Sequence, residues 1–193
     1  MTAIPIAAGS PAPMERSTSI RRALLFLLIC SPIWLTPRLL SVGHPIVMVT
    51  AVVALSYCFL RREGRSLEVL GLDASWRRAR ELVGGFAGGA ILIMLIALIV
   101  WLVLPFPWAR NPEFSAGMAA WSLLWLLCGN TVEELVFRGY AFERLIAGIG
   151  HWKAQVAIAL LFAVFHIVNG WPWQVALVGT TVGSLLYGLV FVR

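Results

Sequence analysis

Glu133-Glu134-Leu135-Val136-Phe137-Arg138-Gly139 puts two adjacent carboxylates and a guanidinium at the end of a long apolar run. An ionised group held in hydrocarbon costs roughly 2.5–3.5 kcal/mol on insertion scales, so three kept together in such a place imply use. Working outward, the only imidazole set inside an apolar run is His166, in Leu160-Leu161-Phe162-Ala163-Val164-Phe165-His166.

The rest of the chain is hydrocarbon-like. Of 193 residues, 60% are hydrophobic and 12% charged, and the mean hydropathy is +0.88, whereas a soluble domain carries about 25% charged residues. The expected fold is all-α, a polytopic transmembrane helix bundle of about six spans at 23–40, 45–60, 82–104, 118–137, 153–168 and 173–192, since a span takes about 20 apolar residues. These runs exhaust the length, so any chemistry lies within the bundle. Residues 1–18, with Pro5, Gly9, Ser10, Pro11 and Pro13 and no periodicity, read as a disordered cytoplasmic tail, and 19–193 as the bundle.

The net charge of +6 follows topology rather than nucleic acid. With both termini cytoplasmic, every basic residue except Arg38 and Arg110 falls on the inner side. Arg61 to Arg80 interleaves six arginines with Leu67, Val69, Leu70, Leu72 and Trp76, which fits either a segment lying on anionic lipid or a solvated loop. Cys30, Cys58 and Cys128 are odd in number and lie in apolar runs, so no disulfide framework is expected. The G-x-x-x-G spacings at Gly84–Gly89 and Gly179–Gly183 predict close helix packing within the chain.

Spacing assigns roles to the acids. Glu134 and Arg138 stand four apart on one helical face in the order that favours an ion pair, and Glu133 is rotated about 100° away, toward another helix. Arg138 then neutralises Glu134, and Glu133 is left to take a proton from water. The bland alternative is a solvated helix cap, which Thr131-x-x-Glu134 also fits as a capping box. Gly148-Ile149-Gly150 reads as a turn, and the midpoint of Glu133 and His166 falls on it. In an antiparallel hairpin about that turn the two stand at one depth, roughly 20 Å from the bend. A carboxylate and an imidazole so placed can activate water, directly or on a metal ion. The depth argument requires the fourth helix to run on to about Ala147.

These residues resemble a family, the CAAX-processing and bacteriocin-processing intramembrane endopeptidases known as CPBP or Abi. Glu133-Glu134 with Arg138 matches its Glu-Glu-x-x-x-Arg motif, Phe162-x-x-x-His166 matches its second motif, and Arg65 to Leu72 is similar to the segment before its catalytic half; the resemblance runs from about 61 to 193. It implies proteolysis by a metalloprotease-like membrane endopeptidase whose catalytic half occupies about 115–193. Glu133 is implied as the base, His166 as its partner or a metal ligand, with Glu133 a second candidate ligand, and Glu134 with Arg138 as support. The implied cofactor is a divalent metal, zinc being the first candidate, or none. The implied partners are the lipid bilayer and a membrane-bound or prenylated peptide, with no nucleic acid, and the implied location is the bacterial inner membrane. The family's third motif, His-x-x-x-Asn, lies on a helix after the one that reaches Arg193. The resemblance therefore leaves a second reading, a non-catalytic interaction or immunity protein of the same fold, or an inactive fragment. Asn169 and His151 are expected to be incidental polar loop residues.

Overall fold

The computed structural model describes residues 13–35, 45–104, 109 and 111–191. Among them every regular element is helical: α1 (Pro13–Leu35), α2 (Pro45–Arg61), a 3-10 turn (Leu67–Leu70), α3 (Trp76–Val103), α4 (Ala116–Phe137), α5 (Tyr140–Ile149), α6 (His151–Val168), α7 (Trp173–Val175), a π-helical stretch (Ala176–Thr180) and α8 (Thr181–Phe191). Helix α1 starts inside the stretch expected to be disordered. Pro13 opens it with φ already set for a helix, and Glu15 in its first turn complements the helix dipole. Residues 1–12 of that tail lie outside the described residues.

Among the described residues two helices, α3 and α6, are long and apolar enough to cross a membrane by length and composition. The other expected spans fall short for separate reasons. The expected first span extends over 36–40, which lies outside the described residues, and α2 and Trp173–Leu189 are shorter apolar helices. Helix α4 has 22 residues, but Asn130, Thr131, Glu133 and Glu134 dilute its apolar run.

The chain divides into two compact units. The unit over Leu67–Trp121 holds α3. Its start is fixed by the Ser75 hydroxyl, which accepts from the Arg78 N–H, and by ion pairs of Arg78 with Asp73 at 2.9 Å and Glu81 at 2.8 Å, and of Arg77 with Glu81 at 2.9 Å. Hydrogen bonds from Ser75 and Arg78 hold the Asp73 carboxyl below its ordinary range, and Arg77 and Arg78 do the same for Glu81. These exposed pairs therefore help the helix above the ordinary carboxylate pKa and release it as pH falls below about 4.

The other unit, described over 13–35, 45–66 and 122–191, holds the core. Helix α1 packs along α5, and α5 along α6. Phe26 of α1, Phe59 of α2 and Tyr140 of α5 form a ring cluster with centroids 5.1–5.4 Å apart. Gly148 lets α1 approach, since a Cβ there would stand 2.5 Å from Ile20. Gly188 does the same on α8, where a Cβ would overlap the Gln155 amide, which donates to the Leu185 carbonyl at 2.7 Å. Leucine at position 188 is expected to force α6 and α8 apart and to lower the melting temperature by several degrees, since overpacking costs about 1–3 kcal/mol; thermal unfolding in detergent checks this.

One break was not foreseen. Helix α4 ends at Phe137 rather than running to Ala147, and α5 restarts at Tyr140. The turn between them brings position 139 against the Leu135 carbonyl, where only a residue without Cβ fits. Beyond it, Tyr140, Ala141, Phe142, Leu145 and Gly148 are buried on one face of α5.

Candidate active site

The last turns of α4 are where that helix becomes buried: Val132, Leu135, Val136, Phe137 and Arg138 are all covered. Burial there sets the acids apart. Glu134 pairs with Arg138 across one helical turn, as its spacing requires, but the pair is lopsided: the Arg138 side chain is 2% exposed and that of Glu134 49%. The Arg138 guanidinium lies 5.0 Å from the Phe162 ring and 5.3 Å from the Tyr187 ring, tying α4 to α6 and α8. Thr131 is no helix cap, because its hydroxyl donates to the Leu127 carbonyl at 2.7 Å in mid-helix.

Two cavities meet at Glu133. One, of about 210 Å³, is mainly apolar and is lined by Pro45, Met48, Trp125, Val136, Phe137 and Phe165 among others. The second is lined by Glu134, Arg138, Phe162, Trp171, Ser184 and Tyr187, with Gly179, Thr180 and Gly183. Glu133 and Asn130 line both. Asn130 escaped the sequence reading, although its place three residues before Glu133 and four before Glu134 puts it on their face.

His166 is not among the lining residues of either cavity. Its ring packs edge-on against Phe162 at 4.5 Å and Trp171 at 5.0 Å, two residues that do line the second. Its Nδ1 lies 2.9 Å from the Phe162 carbonyl; donation there assigns the Nδ1–H tautomer and leaves the Nε2 lone pair as base or ligand. The turn at Gly150 is as expected, with φ +83°. Phe137 meets Phe162 at 5.1 Å, and these two are symmetric about the same point of the chain as Glu133 and His166. That contact supports the expected register. Cysteines at 133 and 166 should therefore join with a short crosslinker in membranes, while a 133/156 pair should not; the opposite pattern would break the register.

Among the described residues no three His, Cys, Asp or Glu side chains form a group able to hold a metal ion. Glu133 and His166 would supply two ligands where catalytic zinc takes three from protein. Gly179 and Gly183 do not bring described helices together: among the described residues nothing stands within 4 Å of a Cβ built on either, and both line the second cavity. Asn169 closes α6 by donating to the Phe165 carbonyl at 2.7 Å, and His151 packs by Phe142 and Trp152, away from both cavities.

The segment with paired acids on α4 and a histidine four residues after Phe162 on α6 has a counterpart among known families. Residues 115–193 match the family model of the Rce1-like type II CAAX prenyl endopeptidases. The matched segment starts just before α4 and holds all four residues singled out in the sequence, consistent with the CPBP resemblance. Residues 61–114, where the resemblance was also expected, lie outside the match. No curated protein and no solved structure matches the chain.

A network the sequence did not reveal joins this segment to residues before it. Glu63, after α2, is 5% exposed and faces Arg22 at 2.9 Å, Arg144 at 3.3 Å and Arg65 at 3.8 Å, and it accepts from the Tyr140 hydroxyl at 2.5 Å. Arg65 also pairs with Glu143. Burial first, then the bond to Glu63, hold the Tyr140 phenol well above its ordinary pKa, so it remains a donor through neutral pH.

Proposed function

We propose that the chain is an intramembrane endopeptidase that cleaves membrane-bound or prenylated peptides with a water activated by Glu133. The observation that carries this reading is the difference between the two adjacent acids. Glu134 is held by Arg138, whereas Glu133 forms no ion pair among the described residues and lines both cavities. A base in that position serves peptide hydrolysis. Water attacks the scissile carbonyl carbon as its proton passes to Glu133, and the tetrahedral adduct collapses as that proton reaches the leaving amine. His166 backs Phe162 and Trp171 in the wall of the second cavity, and Glu134 with Arg138 hold the end of α4 in place. The apolar cavity beside Glu133 offers space for an aliphatic or prenyl chain.

The reading includes about six spans with both termini cytoplasmic in a bacterial inner membrane, motivated by the one-sided arginines. A divalent metal held by Glu133 and His166 with a third ligand is its other form. The test is cleavage of an S-farnesyl peptide by the chain in liposomes, in ¹⁸O-water, with the products read by mass spectrometry. The expected result is one label in the new carboxylate, and absence of any fragment would sink the proposal. Loss of cleavage after chelation, restored by zinc, would decide for the metal form.

A further inference from the structure

The second cavity has more hydrogen-bond donors than the protein uses. Arg138 is buried, and Glu134 takes only its Nη1; Nε and Nη2 have no hydrogen-bond partner among the described residues. Those two nitrogens form one edge of the guanidinium, the edge whose parallel N–H groups match the two oxygens of a carboxylate. Ser184, on α8, is 2% exposed and also lines this cavity, and its hydroxyl is likewise unpartnered. Buried donors without acceptors are costly, and here they belong to one residue in the turn after α4 and one on α8, both of which line the cavity beside Glu133.

We infer that Arg138 and Ser184 form a subsite for the free α-carboxylate at the end of a peptide. Two oxygens would sit on the Nε/Nη2 edge of Arg138, with the Ser184 hydroxyl donating to one of them. The flanking rings of Phe162 and Tyr187 hold the guanidinium plane. Glu134 does not oppose the ligand, because Nη1 neutralises it. Glu133 stands five residues back along the chain, about 7.5 Å of helical rise away. The inference rests on the peptidase reading for the nature of the ligand, but its test does not need turnover.

The probe is a fluorescent S-farnesyl tetrapeptide ending in a free acid, compared with the same peptide ending in an amide. Both are titrated against the full chain carrying Glu133→Gln in lipid nanodiscs. The expected result is binding of the acid about tenfold tighter than the amide, the worth of a charge-assisted pair. Ser184→Ala should narrow that ratio several-fold with the amide's affinity unchanged. Arg138→Lys, which keeps the charge and loses the fork, should abolish it. Equal binding of acid and amide would overturn the subsite even if the chain proves to be a peptidase. Equal loss of both peptides to added phosphate or phosphatidylglycerol would assign the donors to a phosphate group and overturn it too. Acid preference without cleavage by the unmutated chain would sustain the subsite while the peptidase reading failed.

Discussion

Glu133→Gln is expected to lower cleavage of a farnesylated peptide by about a thousandfold, within the range of a lost general base, and to leave the melting temperature unchanged. Glutamine keeps the shape of the side chain but cannot take the proton from water. The fold has nothing to lose, because Glu133 forms no ion pair among the described residues and lines cavity walls. Glu134→Gln should behave in the opposite way. It leaves the buried Arg138 charge without its acid, a loss of about 3–5 kcal/mol for a fully buried pair. About half of that is expected here, since Glu134 is itself half-exposed and solvent already screens the pair. Thermal unfolding and initial cleavage rates of the two variants, measured side by side, check the division of labour. Equal destabilisation by both would refute it.

What the sequence disclosed and what it hid divide along distance in the chain. The Glu134–Arg138 pair was legible because four residues on a helix make neighbours of them. The turn at Gly150 was legible because a positive φ calls for glycine. The register of α4 against α6 was counted through one continuous helix to Ala147, a premise the break at Gly139 removes, and the Phe137–Phe162 contact is what brings the two elements together. The break at Gly139 was hidden, since the residues on either side continue an apolar pattern that one longer helix would satisfy equally well. Only the close approach of the Leu135 carbonyl distinguishes the two. The same limit applied to Gly179 and Gly183. Their spacing suits helix packing, yet next to a π-helical stretch the missing side chains leave room in a cavity instead. The six arginines from Arg61 to Arg80 read as one basic segment, while in the fold Arg77 and Arg78 answer nearby acids and Arg65 reaches Glu143, 78 residues away.

The Glu63 network, which no local pattern encodes, is where the largest loss of stability is expected. Glu63→Ala removes the buried acid that faces three guanidiniums and accepts from Tyr140. Among the described residues Arg65 and Arg144 then keep only Glu143 between them. Breaking a buried pair from one side costs about 3–5 kcal/mol, and the partial exposure of the three arginines reduces this to about 2–3 kcal/mol. At about 2–4 °C per kcal/mol for a chain of this size, the melting temperature should fall by about 5–10 °C. Tyr140→Phe, which deletes one hydrogen bond to a charged acceptor, should cost about 1.5–3 kcal/mol. Salt separates the buried network from the exposed pairs of α3: the Glu63→Ala deficit should persist in 0.5 M salt, whereas any effect of Glu81→Ala should fade, because added ions screen exposed charges and hardly reach covered ones. The loss should also reach the candidate site. Helix α5 starts at Tyr140, two residues after Arg138, so freeing its first turn from Glu63 loosens the Gly139 break and lets Arg138 drift from Glu134. Cleavage by Glu63→Ala should therefore fall several-fold at temperatures where the variant remains folded, and full activity there would show that the network holds the helices together without positioning the site.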